Sequence, residues 1–248
     1  MSDHKRLCIL IISCEFYNKE FHLPDNVNKP CINRERWLYE KQCWKKYMHL
    51  NENIDVYFLE YGEESRIEED TIFVPYDGFG RGIYKKTIYG LKLLNKSYDF
   101  YFRTNLNTFV IFDKILDKLN NIEKDYNMNY PFYGGHVYPA KYLKCKEFVS
   151  GTGILMNLAA KDELLNHGFN EEYTTSKYSD DNIIRMVFYD LNILPIKCHF
   201  LLKCNKKTDI NLKLFKNNNY CYVRTNRDSS KNSNINEHLL QKFYNIEF

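Results

Sequence analysis

The chain has no long apolar run, no closely spaced cysteine pair and no surplus of either charge. Leu7–Ile12 is an apolar run of only six residues, against the about 20 that cross a bilayer. Polar and basic residues precede it, no secretory signal is visible, and it reads as a buried parallel strand. The eight cysteines (Cys8, Cys14, Cys31, Cys43, Cys145, Cys198, Cys204 and Cys221) contain no Cys-x-x-Cys. Zinc and disulfide frameworks are therefore not expected, whereas reduced, mostly buried thiols in a cytoplasmic compartment are. The net charge is +3, with acids and bases interspersed. That excludes the concentrated basic face of a dedicated nucleic-acid binder. No internal repeat and no long linker divides the 248 residues. One domain is expected over 1–248, with a core over about 6–200 and a C-terminal extension, 201–248, packed on it.

Hydrophobic residues make up 44% of the chain, and 17 Phe and 21 Tyr supply much of the bulk for a core. Lys, Asn, Ile and Tyr are used heavily, as AT-rich coding would produce. Strand and helix patterns alternate, which predicts an α/β fold with a mainly parallel sheet flanked by helices. Strands are expected at Leu7–Ser13, Ile54–Leu59, Thr71–Pro75, Asp99–Arg103, Phe132–Tyr138, Phe148–Met156 and Ile193–Phe200. Helices are expected at Arg34–Leu50, Ile83–Leu94, Phe112–Asn120, Ala159–Asn166, Ile183–Leu191 and His238–Tyr244. Between them lie a loop with Pro24 and Pro30 and a flexible turn, Gly78–Gly82. Leu212–Phe215 and Tyr220–Thr225 are short apolar stretches in an Asn- and Lys-rich tail.

The strand at Asp99–Arg103 leads into Thr104-Asn105-Leu106-Asn107. In extended backbone, residues two apart share a face, so Asn105 and Asn107 would aim at one ligand at a strand's carboxyl end, where open α/β sheets collect ligands. Their amides are neutral donors for a metal or for a donor ribose and phosphates; equally, both are ordinary turn residues. Ser179-Asp180-Asp181-Asn182 offers a carboxylate to take a proton from an acceptor hydroxyl, and also reads as a helix N-cap cluster. His199 is a metal-ligand type in a strand-like run, and His136 lies beside the Gly134-Gly135 pair. Both are also ordinary structural histidines. Gly134, Gly135, Gly151 and Gly153 mark close approach of substrate or of another strand. Gly151-x-Gly153 lacks the third glycine of a dinucleotide fingerprint. Arg81, Lys85, Lys86 and Arg103 flank the proposed cleft, as cations that balance a departing diphosphate or as solvated surface.

The ordered set of motifs resembles the Fringe and β-1,3-galactosyltransferase-like glycosyltransferases, which have the GT-A fold. Arg36 with Trp44 is similar to that group's first helix, and Lys86-Thr87 with Tyr89-Gly90-Leu91 to its Lys-Thr helix. Asp99-Phe100 through Val110 resembles its strand ending in Asp-Asp-Asp-x-Phe-Val. Tyr133-Gly134-Gly135 and Ser150-Gly151-Thr152-Gly153 resemble its acceptor-side strands, and Ser179–Asn182 its late acidic pair. The resemblance implies inverting transfer of a sugar from a nucleotide-diphosphate donor, most simply a UDP-sugar, to an acceptor hydroxyl on a glycan, protein or lipid. Asp181 would be the general base, with Asp180 behind it. Arg36, Lys86, Arg103, Asn105 and Asn107 would serve the donor, and Gly134, Gly135, His136 and Gly151 the acceptor side. Asn105, Asn107 and His199 stand where the group binds a divalent ion, Mn²⁺ or Mg²⁺. Amides in place of both acids leave three outcomes: a weak metal site, a metal-independent enzyme or an inactive nucleotide- or carbohydrate-binding relative. The missing membrane anchor departs from the group's secretory members and points to a soluble viral or bacterial enzyme. A structural virion protein is the remaining alternative.

Overall fold

Six residues, Leu7–Ile12, form β1 and are buried along their whole length, as a strand covered on both faces requires. The computed structural model describes residues 5–13, 34–76, 81–140, 145–204, 220–225 and 229–247. The elements that follow β1 are α1 (Arg34–Tyr47), β2 (Ile54–Tyr61), β3 (Arg66–Glu68), β4 (Thr71–Val74), α2 (Arg81–Leu93) and β5 (Phe100–Asn105). Next come β6 (Thr108–Val110), α3 (Phe112–Asp125), β7 (Tyr133–Pro139), β8 (Glu147–Asn157), α4 (Leu158–His167), α5 (Glu171–Thr174) and α6 (Asp180–Asp190). The chain closes with β9 (Ile196–Lys197), β10 (Leu201–Cys204), β11 (Tyr222–Thr225) and α7 (Ser229–Tyr244).

Eight strands make one sheet in the order β3-β4-β2-β1-β5-β8-β7-β9. Its centre, β4-β2-β1-β5, is parallel, while β8 runs antiparallel between β5 and β7. This is the mainly parallel, helix-flanked α/β sheet that the alternating pattern predicts. Two apolar cores lie on its two faces. One gathers Trp44, Tyr47, Phe58, Phe102 and Phe112 with residues of α7; the other gathers Leu10, Tyr84, Tyr101, Tyr133 and the apolar side of α6. Each fully buried large side chain contributes about 2–3 kcal/mol. Tyr47 is the hub of the first core, with rings of Trp44, Phe109 and Tyr244 stacked 4.8–5.0 Å from it.

A second, three-stranded sheet, β10-β11-β6, was not foreseen. The expected strand Ile193–Phe200 is split. β9 pairs with β7 only at Gly134 and Gly135, and the chain then leaves the large sheet to enter the small one as β10. The C-terminal helix begins at Ser229, ahead of the expected His238, and is held by Asn236 donating to Glu40 at 2.6 Å and by the Tyr244 hydroxyl donating to the Val110 carbonyl at 2.9 Å. The proline loop, Cys14, Cys31 and Leu212–Phe215 lie outside the described residues, as does most of the Gly78–Gly82 turn. Five cysteines (Cys8, Cys43, Cys145, Cys198 and Cys221) are free and buried; burial pushes the Cys43 and Cys198 thiols up to about 12. Among the described residues, no helix is long and apolar enough to cross a membrane.

Candidate active site

Strand order reverses between β1 and β5: β2 and β4 continue on one side of β1, and β5, β8 and β7 on the other. A reversal of this kind opens a crevice beyond the strands' carboxyl ends. Ile12 and Asn105 are register partners at that edge. β5 reaches two residues further than its apolar pattern predicts because Thr104 still pairs with Gly153 and Asn105 with Ile12. The chain then turns at Leu106 and Asn107, so strand alternation, which would align Asn107 with Asn105, stops one residue too early. The Trp44 indole N–H fixes the turn by donating to the Leu106 carbonyl at 3.0 Å.

Strand β8 bulges as it passes this point. It pairs with β7 at Gly135–Ile154 and again at Val137–Val149, so His136 alone faces the four residues Ser150–Gly153. The bulge presents the Gly151 peptide to the end of β5. Asn105 Nδ2 donates to the Gly151 carbonyl at 3.1 Å, and Arg103 Nη1 donates to the same oxygen. On the other side, the Gly151 N–H donates to Asp181 Oδ2 at 3.0 Å. One residue, Gly151, thus joins through its carbonyl and its N–H the two motifs that lie 76 residues apart in sequence (105 to 181). Glycine is required at two places. A Cβ at 151 would sit 2.8 Å from Arg103 Nη1, and Gly135, at φ +151°, would place one 2.4 Å from the Gly153 carbonyl oxygen.

At the start of α6, Ser179 occupies the N-cap position, yet its side chain makes no capping bond. Its hydroxyl instead donates to Asp181 Oδ1 at 2.6 Å and accepts from Asn182 Nδ2 at 2.7 Å. The Asn182 N–H reaches the same Oδ1 at 2.9 Å. Asp181 is half-buried and takes three donors, the Gly151 N–H, the Ser179 hydroxyl and the Asn182 N–H. Asp180 points inward and forms a buried ion pair with Arg103 Nη2. Burial pushes the Asp180 carboxyl up, against the pull of the Arg103 guanidinium. Arg103 and Asp180, expected at the donor and behind the base, are therefore engaged with each other and lock α6 onto β5.

Lys86 is fully buried. Its ammonium donates to the Ser13 carbonyl at 3.0 Å, at the carboxyl end of β1. Among the described residues it has no acidic partner. Beside it, the buried Glu60 accepts from the Ser13 hydroxyl and meets Lys41 at 3.5 Å. Ser13 follows Ile12, the register partner of Asn105, and adjacent strands are about 4.8 Å apart, so the Lys86 ammonium is anchored one strand from the end of β5.

The remaining expected residues divide. Gly134 is approached by Cys198 and the Ile196 carbonyl, and Gly135 by Gly153 and Val149, so the neighbour of each is another strand. His136 faces the bulge, its ring edge-on to Tyr138 at 4.7 Å. His199 is exposed, between β9 and β10. Arg36 and Arg81 lie in α1 and α2, and their side chains lie outside the described residues. Sequence reasoning missed Arg224 on β11, whose Nη1 donates to Thr152 Oγ1 in the bulge at 3.2 Å. Tyr220–Thr225 reads locally as a strand, but nothing local names the sheet it joins.

The donor set was tested for a divalent ion. Asn105 turns its N–H toward Gly151, Asp180 is held by Arg103, and Asp181 is saturated on one oxygen. Among the described residues, no three His, Cys, Asp or Glu side chains come together as a metal site. Hard cations favour several anionic oxygens, and neutral amides between Arg103 and Lys86 do not fit that demand.

No family model matches the chain, and no curated protein matches it. Among the solved structures similar to it are three enzymes. One is a glycosyltransferase involved in the glycosylation of the major capsid of PBCV-1 (TM-score 0.47, 12% identity, 94% of this chain and 98% of that one). The second is the catalytic domain of Drosophila β1,4-galactosyltransferase 7 (0.41, 13%, 79% and 65%), and the third mouse xyloside xylosyltransferase 1 (0.47, 9%, 91% and 98%). All three are glycosyltransferases. At these scores and identities the likenesses decide nothing about the site; its side chains do.

Proposed function

We propose that the protein transfers a sugar from a nucleotide-diphosphate donor, a UDP-sugar, to an acceptor hydroxyl with inversion, using Asp181 as general base. The observation that carries this reading is the Gly151 peptide, which holds Asn105 at the strand-switch crevice and Asp181 at the start of α6 against one another. It joins the motifs on which the resemblance to Fringe-like enzymes rests. Among the described residues Asp181 Oδ2 takes one donor, the Gly151 N–H, and keeps a lone pair for a hydroxyl proton. The acceptor oxygen bonds to the anomeric carbon as its proton passes to Asp181. The bond from that carbon to the diphosphate breaks on the opposite face, and UDP leaves with the electron pair. Lys86, buried without a counter-ion at the end of β1, supplies positive charge for the diphosphate; Arg103 and Asp180 position α6. The acceptor enters over β7, where His136 and Tyr138 offer half-exposed rings.

UDP-sugar turnover by wild type and Asp181→Asn, with EDTA and with Mn²⁺, tests the proposal. The variant should lose about 10²–10⁴-fold in kcat with UDP affinity retained. Equal rates would remove Asp181 from the chemistry. Wild type that binds UDP and never turns over would leave only a nucleotide-binding relative.

A further inference from the structure

The small sheet presents one face to the β8 bulge. Tyr222 and Arg224, two apart on β11, share that face, and Thr108 of β6 lies opposite Arg224 in antiparallel register. Arg224 reaches Thr152. The Tyr222 ring packs 5.1 Å from Phe102, and a Cβ at Gly153 would meet its hydroxyl at 2.7 Å. Tyr222 and Thr108 are 1% and 2% exposed, and among the described residues neither hydroxyl has a hydrogen-bond partner. An unpaired buried hydroxyl costs about 1–3 kcal/mol, so two on one face, beside a guanidinium, need a reason beyond folding. Burial pushes the Tyr222 phenol well above its ordinary value, which keeps the proton it would donate. Thr108 follows the Asn105–Asn107 turn directly in the chain.

We propose that β11 and β6 complete an anion subsite for the donor diphosphate, with Arg224 as its cation and the Thr108 and Tyr222 hydroxyls as neutral donors. This rests on the donor reading above and assigns the charge that a divalent ion would otherwise supply. Lys86 approaches the diphosphate from the β1 side and Arg224 from the small sheet. The C-terminal extension is then part of the donor site.

Calorimetry in EDTA with three probes (inorganic pyrophosphate, UDP and uridine) tests the subsite. Wild type should bind UDP at least about tenfold more tightly than uridine. Arg224→Gln should weaken pyrophosphate and UDP by about ten- to a hundredfold, as loss of a charged hydrogen-bond donor does, and leave uridine unchanged; Arg224→Lys should recover part of the loss. Thr108→Val and Tyr222→Phe should weaken UDP severalfold while the melting temperature holds or rises, because each removes an unpaired polar atom. A purely structural role predicts the reverse, a lower melting temperature with UDP affinity unchanged, and would overturn the proposal. So would wild-type affinity for both anions in Arg224→Gln, or equal affinity of wild type for UDP and uridine. Arg224-dependent binding of pyrophosphate without any binding of UDP would support the subsite and overturn the nucleotide-donor reading. If Arg224→Gln fails to fold, the Thr108→Val and Tyr222→Phe arms decide.

Discussion

The same sheet carries a polar cluster at each end, and the two are built differently. At the amino ends of β1, β2 and β5, Asp55 accepts from the Tyr98 hydroxyl at 2.6 Å and from Lys96 at 3.1 Å, with Arg6 at 3.5 Å. Arg6 also lies over the Tyr98 ring. Positive charge there meets negative charge, and the cluster is complete without a ligand. At the carboxyl ends, Arg103 and Asp180 are paired, but among the described residues the buried Lys86 has no acid and the Thr108 and Tyr222 hydroxyls have no partner. Buried charge and buried hydroxyl without partners are costly, and natural proteins tolerate such violations at working sites. Similar residue types therefore mean different things at the two ends. Satisfaction, not composition, separates a structural cluster from a site.

The largest effect expected on stability comes from the Arg103–Asp180 pair at the carboxyl end. Arg103→Leu leaves Asp180 buried and unpaired and should cost about 3–5 kcal/mol in urea unfolding. Adding Asp180→Asn should restore most of it; strictly additive losses would show that the pair does not hold α6. Gly135→Ala attacks the bulge itself. Its backbone conformation alone implies about 1–3 kcal/mol of strain, before the contact with Gly153, and thermal unfolding reads the sum. An unperturbed melting temperature would mean that the bulge can be rebuilt without this glycine.

Asn105→Asp replaces the amide that donates to the Gly151 carbonyl with a group that only accepts. A loss of about 1–3 kcal/mol is expected, with Mn²⁺ affinity no greater than wild type. Tighter Mn²⁺ binding in that variant would show that residue 105 faces a cation after all. The smallest effect belongs to the amino end. Burial raises the Asp55 pKa, but Tyr98, Lys96 and Arg6 outweigh it and hold the carboxyl below its ordinary range. A depressed acid stabilises the fold above its unfolded pKa, about 3.9, and loses that contribution as pH falls through its folded value. Asp55→Asn should therefore cost about 1 kcal/mol at pH 7, allowing for partial exposure, and the gap from wild type should close below about pH 4. A gap independent of pH would assign the cost to the hydrogen bonds alone.

Much of the fold was legible in sequence because apolar runs of strand length, continuous or alternating, report local backbone and burial together. Leu7–Ile12, Ile54–Leu59 and Phe100–Arg103 fall within the strands expected of them. Misreadings arose where a long-range partner overrules a local pattern. Ile193–Phe200 is apolar enough for one strand, but only Ile196–Lys197 of it pairs in the large sheet, and the chain enters the small sheet at Leu201. Asn107 is two residues from Asn105, yet a turn, pinned by Trp44 from a distant helix, removes the shared face. Ser179 has the residue type and position of a helix cap, yet its oxygen accepts from the Asn182 side chain and its hydroxyl donates to Asp181, so no helix N–H is capped by it.

Residue order alone determined the strand-and-helix alternation, the aromatic bulk of the core and the presence of a carboxylate pair before a late helix, because these follow from side-chain type and spacing. Only the folded chain decided which acid is paired and which is open, that the Gly151 peptide joins Asn105 to Asp181, and that Arg224 returns to the same place. Those contacts join segments up to about 120 residues apart (105 to 224), and a hydrogen bond depends on where two atoms meet, not on where they lie along the chain.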